Sequence, residues 1–221
     1  MAHLFVFDID GTLLDSVPAH VSAFLKALAL FDFEVVDQRW DAYPEHTDSA
    51  ILRRLSQVNR GKPVTIEELD AFDRELDACF RESWPGSVAD PFMPGAQHVV
   101  ESIQRSTNAH VALATGGLIS ASLTKLETIA VIPPALMVTA SDAEPRADII
   151  RIAIERTLHH YGIGSTSQVT YVGDGPWDAI AARAIGIGFI GVGPSVERFG
   201  GQCPPDAIVA SLDGIDITDW A

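Results

Sequence analysis

Apolar residues fall along this chain in two patterns. Short continuous runs occur at Leu4–Phe7, Val111–Ala114, Leu136–Val138, Val169–Val172 and Phe189–Val192, with a weaker one at Ala207–Leu212. Brief runs without polar alternation suit strands covered on both faces. From Val111 onward, segments of helical periodicity separate them. Ser120–Ala130 carries Leu123, Leu126 and Ile129, and Ala147–His160 carries Ile150, Ile154 and Leu158. Strands that alternate with helices predict right-handed crossovers and a mainly parallel sheet, an α/β Rossmann-like core.

The stretch between the first two strands has only the helical period. Pro18–Leu28 places Val21, Phe24, Leu25 and Leu28 on one face, and Asp48–Val58 does the same with Ile51, Leu52, Leu55 and Val58. Thr65 and Glu68 have the spacing of a capping box, with Val64 and Leu69 placed as a hydrophobic staple. The helix they open buries Leu69, Phe72, Leu76 and Phe80. An α-helical insertion over residues 16–91 is therefore expected, with residues 1–15 and 92–221 forming the core. Asp15–Val17 and Asp90–Gly95 are the expected hinges, the second punctuated by Pro91, Pro94 and Gly95.

Composition narrows the function. The 221 residues are 47% hydrophobic, enough for a substantial core, and the length suits one domain with a sizeable insertion. The net charge is −15, from 30 acids and 15 bases. Such a surface repels nucleic acid and anionic lipid, so neither is an expected partner. A small anionic substrate meets the same repulsion and needs local positive charge. Cys79 and Cys203 have no metal-ligand spacing and are expected as reduced thiols. No basic segment followed by an apolar one opens the chain, which predicts a cytoplasmic protein.

The candidate chemistry lies at strand ends. Asp8 and Asp10 follow four apolar residues, and side chains two apart on a strand point the same way. Open α/β sheets bind ligands at that carboxyl end. Two buried carboxylates need compensation, and a hard divalent cation with oxygen ligands supplies it. The fourth run leads to Asp174 and, through Gly175-Pro176-Trp177, to Asp178 in the first turn of a helix. The second run ends in Thr115-Gly116-Gly117, a hydroxyl beside glycine N–H groups and hence a candidate anion cradle.

Taken together, Asp8-Ile9-Asp10-Gly11-Thr12-Leu13-Leu14-Asp15-Ser16, Leu113-Ala114-Thr115-Gly116 and Gly173-Asp174-Gly175-Pro176-Trp177-Asp178 resemble the haloacid dehalogenase-like hydrolase superfamily. The helical insertion resembles the cap of its phosphoglycolate phosphatase and β-phosphoglucomutase branch. The resemblance implies Mg²⁺-dependent hydrolysis of a small phosphorylated metabolite by a monomer or homodimer. Asp8 would be the nucleophile that forms an aspartyl-phosphate, and Asp10 the acid/base, its pKa held up near substrate charge. Thr115 and Gly116 would hold phosphate oxygens. Asp8, Asp10 through its carbonyl, and Asp174 would bind Mg²⁺, supported by Asp178. His20, near the hinge, would meet substrate. The alternatives are a phosphomutase of the same architecture and a non-catalytic phosphate-binding module.

One motif departs from the family. Glu144 stands where a lysine should neutralise Asp8 and the phosphate, in Ala143-Glu144-Pro145-Arg146. Arg146 is the preferred replacement. Lys125, the other candidate, is read chiefly as a solvated residue on the helix after Thr115. Glu45-His46-Thr47-Asp48 resembles the cap loop of related phosphatases without its glycine, and Thr47 is read as a helix cap. Trp40, Trp84 and Trp177 are read as packing residues.

Overall fold

The computed structural model describes residues 2–84, 90–129, 132–164, 168–202 and 207–216. Each apolar run becomes a strand: β1 (His3–Phe7), β2 (Ala109–Ala114), β3 (Met137–Val138), β4 (Gln168–Gly173), β5 (Gly188–Val192) and β6 (Ile208–Val209). They form one parallel sheet in the order β3-β2-β1-β4-β5-β6. β1 is buried at every position, because it lies at the centre with Phe7 between Leu113 and Val172. The chain winds outward from β1 to β3 on one side and from β4 to β6 on the other. Strand order thus reverses between β1 and β4, where open α/β sheets leave a crevice at their carboxyl ends.

Two runs come out shorter than their apolar extent. Leu136 closes a 3₁₀ turn that begins at Pro134. Proline cannot donate to a sheet ladder, so β3 starts only at Met137. Of Ala207–Leu212, only Ile208 and Val209 pair, with Gly191 and Val192. The helices of the sheet region are α4 (Ala96–Arg105), α5 (Ile119–Ile129), α6 (Arg146–His160) and α7 (Pro176–Ile185). The sequence reading did not single out α4, which buries Val99, Val100 and Ile103 along one face. Ala130 and Cys203 lie outside the described residues, and Cys79 is a buried free thiol. Among the described residues, no helix is long and apolar enough to cross a membrane.

Between β1 and β2 the chain forms α1 (Val17–Leu30), α2 (Asp48–Arg60) and α3 (Ile66–Ser83). The capping box at α3 is present: Thr65 Oγ1 accepts from the Glu68 N–H at 3.2 Å, and Glu68 Oε2 accepts from the Thr65 N–H at 3.0 Å. Phe72 of α3 is fully buried, with its ring 5.3 Å from Phe24 and 5.5 Å from Phe31. α3 also lies along α5. Asp73 accepts from the Ser120 N–H and hydroxyl, Asp77 from the Thr124 hydroxyl, and the Trp84 indole donates to Thr128. Entry and exit run side by side: Leu14 bridges Phe92, and the Asp15 N–H donates to the Pro91 carbonyl at 2.9 Å.

Removing the Phe72 ring leaves a cavity among aromatic neighbours that cannot collapse easily. Phe72→Ala is expected to lower unfolding free energy by about 3–5 kcal/mol in urea titration. A loss below about 1 kcal/mol would mean that α1 and α3 are not packed as described.

Candidate active site

Asp8 continues the line of β1, its N–H donating to the Val172 carbonyl at 2.9 Å. The chain then folds back sharply. The Leu13 and Leu14 N–H groups both donate to the Ile9 carbonyl at 2.9 Å. Gly11 turns the corner with φ 79°, and a Cβ there would run into the Asp174 carboxylate. Asp8 and Asp10 therefore both line a cavity of about 250 Å³ above the crevice, as do His20, Thr115, Gly116, Arg146 and Asp174.

Arg146 is the cation of Asp8. It opens α6, and its Nη1 lies 3.0 Å from Asp8 Oδ1 and 3.4 Å from Asp178 Oδ1. Its Nη2 donates to the His46 carbonyl at 3.0 Å. Gly116 makes room, since a Cβ there would lie 2.6 Å from Arg146 Nη2. Burial lowers the proton affinity of the guanidinium, but Asp178, Tyr171 and Asp8 outweigh it and hold its pKa well above the ordinary arginine value. Glu144, which holds the place of the expected lysine, turns away and pairs with Arg53 of α2 at 2.6 Å.

The reading of Lys125 as a solvated residue is corrected. Its side chain is 0% exposed, and its Nζ lies 2.7 Å from Asp10 Oδ2. α5 points inward here because the other face of the cavity, α1, brings a partner. Lys125 Nζ also donates to His20 Nδ1 at 3.0 Å, and His20 Nε2 lies 3.0 Å from Asp48 Oδ1. An ammonium can only donate, so Nδ1 accepts and Nε2 carries the proton given to Asp48. The result is a largely buried chain Asp10–Lys125–His20–Asp48, with Asp10 and His20 partly exposed to the cavity. Without substrate, the contact with Lys125 acts in the opposite direction to the rise expected for Asp10 beside substrate charge. Burial raises the Asp10 pKa, but Lys125, by its charge and its hydrogen bond, with the neighbouring His20 and a hydrogen bond from Ser16, brings it to about 2.

Asp174 and Asp178 complete the set. Asp178 is fully buried, accepting from the Gly175 N–H at 3.1 Å, with the Tyr171 hydroxyl also 3.1 Å away. Burial and then Asp178 push Asp174 up to about 7, against Arg198 and Arg146. Burial likewise pushes Asp8 well up, with Asp178, Asp174 and Asp10 adding to it against Arg146. The carboxylates of Asp8, Asp174 and Asp178 lie within 4.8 Å of one another, an all-oxygen donor set. Five acids gather here (Asp8, Asp10, Asp48, Asp174 and Asp178) against three cations, Arg146, Lys125 and Arg198. That deficit of positive charge, at carboxyls already pushed toward neutrality, fits a hard divalent cation.

The loop before α2 closes over the cavity. The Asp48 N–H donates to the Gly116 carbonyl at 2.8 Å, and Asp48 Oδ2 accepts from the Leu118 N–H at 3.0 Å. Thr47 begins α2 but makes no side-chain cap; its hydroxyl donates to the Glu144 carbonyl at 3.0 Å instead. The His46 ring stacks on Trp177 with centroids 3.5 Å apart. Trp177 is thus a packing residue that joins the insertion to the sheet region. Two site residues escaped the sequence reading. Arg198, in the 3₁₀ turn after β5, donates to the Asp174 carboxylate. Asp48 was read only as part of a loop motif. The one sequence cue to Arg198 was a base just past a strand's carboxyl end.

The Asp10–Lys125 pair gives a measurable coupling. Lys125→Met is expected to cost about 3–5 kcal/mol, because it strands a buried carboxylate. In an Asp10→Asn background the same change costs much less, and equal costs would mean that the two do not interact. His46 gives a pH signature. Burial and Arg146 push its pKa down to about 4 from 6.5, so the unfolded chain binds the proton first. The contribution is complete above pH 6.5 and is lost as pH falls toward about 4. His46→Gln is expected to flatten the stability–pH curve across that window.

A haloacid dehalogenase-like hydrolase family model matches residues 2–186. The chain is 27% identical to the probable phosphatase IndB of Dickeya dadantii, covering 87% of this chain and 81% of that protein. It superposes on β-phosphoglucomutase from Clostridium difficile with a TM-score of 0.74 at 15% identity, covering 100% of this chain and 96% of that one. A variant of CbbY from Rhodobacter sphaeroides, in complex with xylulose-1,5-bisphosphate, gives 0.71 at 17% identity over 97% and 96%. At such identities the two structures establish a shared fold, while the family model spans most of the sequence, from β1 through α7. This chain belongs to the haloacid dehalogenase-like hydrolases.

Proposed function

We propose that this hydrolase is a Mg²⁺-dependent phosphatase of small phosphomonoesters, acting through an aspartyl-phosphate on Asp8. The observation that carries the reading is Asp8 itself: a carboxylate at the switch point, faced by a buried arginine, 2.7 Å-paired Asp10–Lys125 machinery and a closed roof. In this reading residues 1–15 and 92–221 hold the chemistry, and residues 16–91 form a cap that opens for substrate.

Asp8, the Asp10 carbonyl and Asp174 would hold Mg²⁺, with Asp178 orienting them. Bound there, the ion would supply positive charge to the carboxylate cluster and to the phosphoryl oxygens. Thr115 and the Gly116 N–H receive two of those oxygens, and Arg146 offsets charge between them and Asp8. An Asp8 oxygen attacks phosphorus, and the bond from phosphorus to the leaving oxygen breaks. The leaving oxygen takes a proton from Asp10. Asp10 rests ionised beside Lys125, so substrate charge must first raise its proton affinity against that ammonium. In the second half Asp10 takes a proton from water, whose oxygen attacks phosphorus and releases Asp8 and inorganic phosphate. Arg146 replaces the charge of the family's lysine with a planar fork, which here spans Asp8 and the His46 carbonyl. The cap loop is thereby tied to the nucleophile's own counter-ion.

Phosphate release from a panel of phosphomonoesters with Mg²⁺ tests the reading. Asp8→Asn is expected to lower kcat by at least about 1,000-fold. Full activity in that variant, or no turnover of any ester, would remove the proposal, and an isomeric sugar phosphate as sole product would mean mutase chemistry. Mg²⁺ at 100 times its Kd is expected to add about 2.7 kcal/mol of stability, reversed by EDTA. Asp174→Asn is expected to shrink that increment, a readout that does not depend on turnover.

A further inference from the structure

The cavity has two chemically different ends. Its floor carries the aspartates, Thr115, Arg146 and Arg198, whereas the roof contributed by the insertion is Val17, Val21, Phe24, Trp40 and Ile51. Phe24 and Trp40 meet edge to face at 6.0 Å, and Tyr43 stacks on Trp40. Of the polar side chains that the insertion adds, His46 stacks on Trp177 beside Arg146 at the sheet end of the cavity, and the other three are already committed. His20 is bonded to Lys125 and Asp48, Thr47 to Glu144, and Asp48 also to Leu118. No lysine or arginine of the insertion lines the cavity. Lys26, Arg39, Arg53 and Arg60 instead pair with Glu82, Asp37, Glu144 and Glu68.

A substrate whose far end carries a carboxylate or second phosphate would press that charge against a roof that offers a neutral indole N–H, from Trp40, and no cation to pair with it. The carboxylate that the insertion adds to the lining, Asp48, repels it. The volume, about 250 Å³, lies just below the range of about 300–1,000 Å³ that holds drug-sized ligands. Resting on the phosphatase reading, we propose that the substrate is the phosphomonoester of an uncharged, ring-sized alcohol, whose apolar face rests against Val21, Phe24, Trp40 and Ile51. The roof selects by exclusion as well as contact: a second anion is rejected because no positive charge meets it there.

The test compares benzyl phosphate with phosphoglycolate and glucose 1,6-bisphosphate on the full chain with Mg²⁺. Benzyl phosphate is expected to have the higher kcat/KM by about 100-fold or more. Trp40→Ala is expected to reduce that ratio at least about tenfold, and Ile51→Arg to shift it toward phosphoglycolate. The non-hydrolysable pair, benzylphosphonate and phosphonoacetate, gives the same comparison by calorimetry without turnover. Tighter benzylphosphonate binding with no ester hydrolysed would support the roof's selectivity and remove the phosphatase reading alone. Equal or reversed preference in either assay, or binding of neither phosphonate, would overturn the inference.

Discussion

Asp8 has almost no contact with solvent, yet it stands among other carboxylates, and positive charge has to come with it. That constraint organises the site. Arg146 is drawn from the start of α6, Lys125 from α5 and Arg198 from the turn after β5, so three separate crossovers converge on the end of one strand. A buried pair of this kind adds little net stability over a well-packed apolar pair, but removing one member is costly. Its value lies in fixing geometry: each cation ties its helix or turn to the end of β1 or β4. Even so, the acids outnumber the cations, and Asp174 is left at about 7, pushed up first by burial and then by Asp178 against Arg198 and Arg146.

The same economy governs the lid. Asp48, at the first turn of α2, closes onto the backbone of Gly116 and Leu118 and at the same time receives His20. His20 in turn contacts the ammonium that holds Asp10 ionised. Closure and the protonation behaviour of Asp10 therefore share atoms. In the proposed reading, a cap that lifted would withdraw His20, with Asp48 behind it, from Lys125 and so alter the electrostatic setting of Asp10.

Much of this could be read from residue order. Buried strands need continuous apolar runs, so their number and sequence were plain, and Gly and Pro marked where they ended. Asp8, Asp10, Asp174 and Asp178 stood out because carboxylates directly after such runs have no bland structural use in that number. Lys125 did not stand out. Its neighbours on α5 alternate between apolar and polar, and a lysine in that setting is usually solvated. The tertiary approach of α3, whose Phe80 ring lies 5.1 Å from the Lys125 Nζ, and of His20 on α1 turns its environment inward. Arg198 was hidden for a related reason, since a turn residue's direction is set by its packing rather than by any local period. The short α4 was missed because Ala96–Arg105 offers only a brief apolar face.

Gly116 carries a consequence beyond its own turn. Its missing side chain is the space that the Arg146 guanidinium fills, and the same residue's carbonyl anchors Asp48. Positions 116 and 146 are thus a single unit of variation. A methyl group at 116 expels the arginine, while a shorter cation entering from residue 144 would leave that space empty.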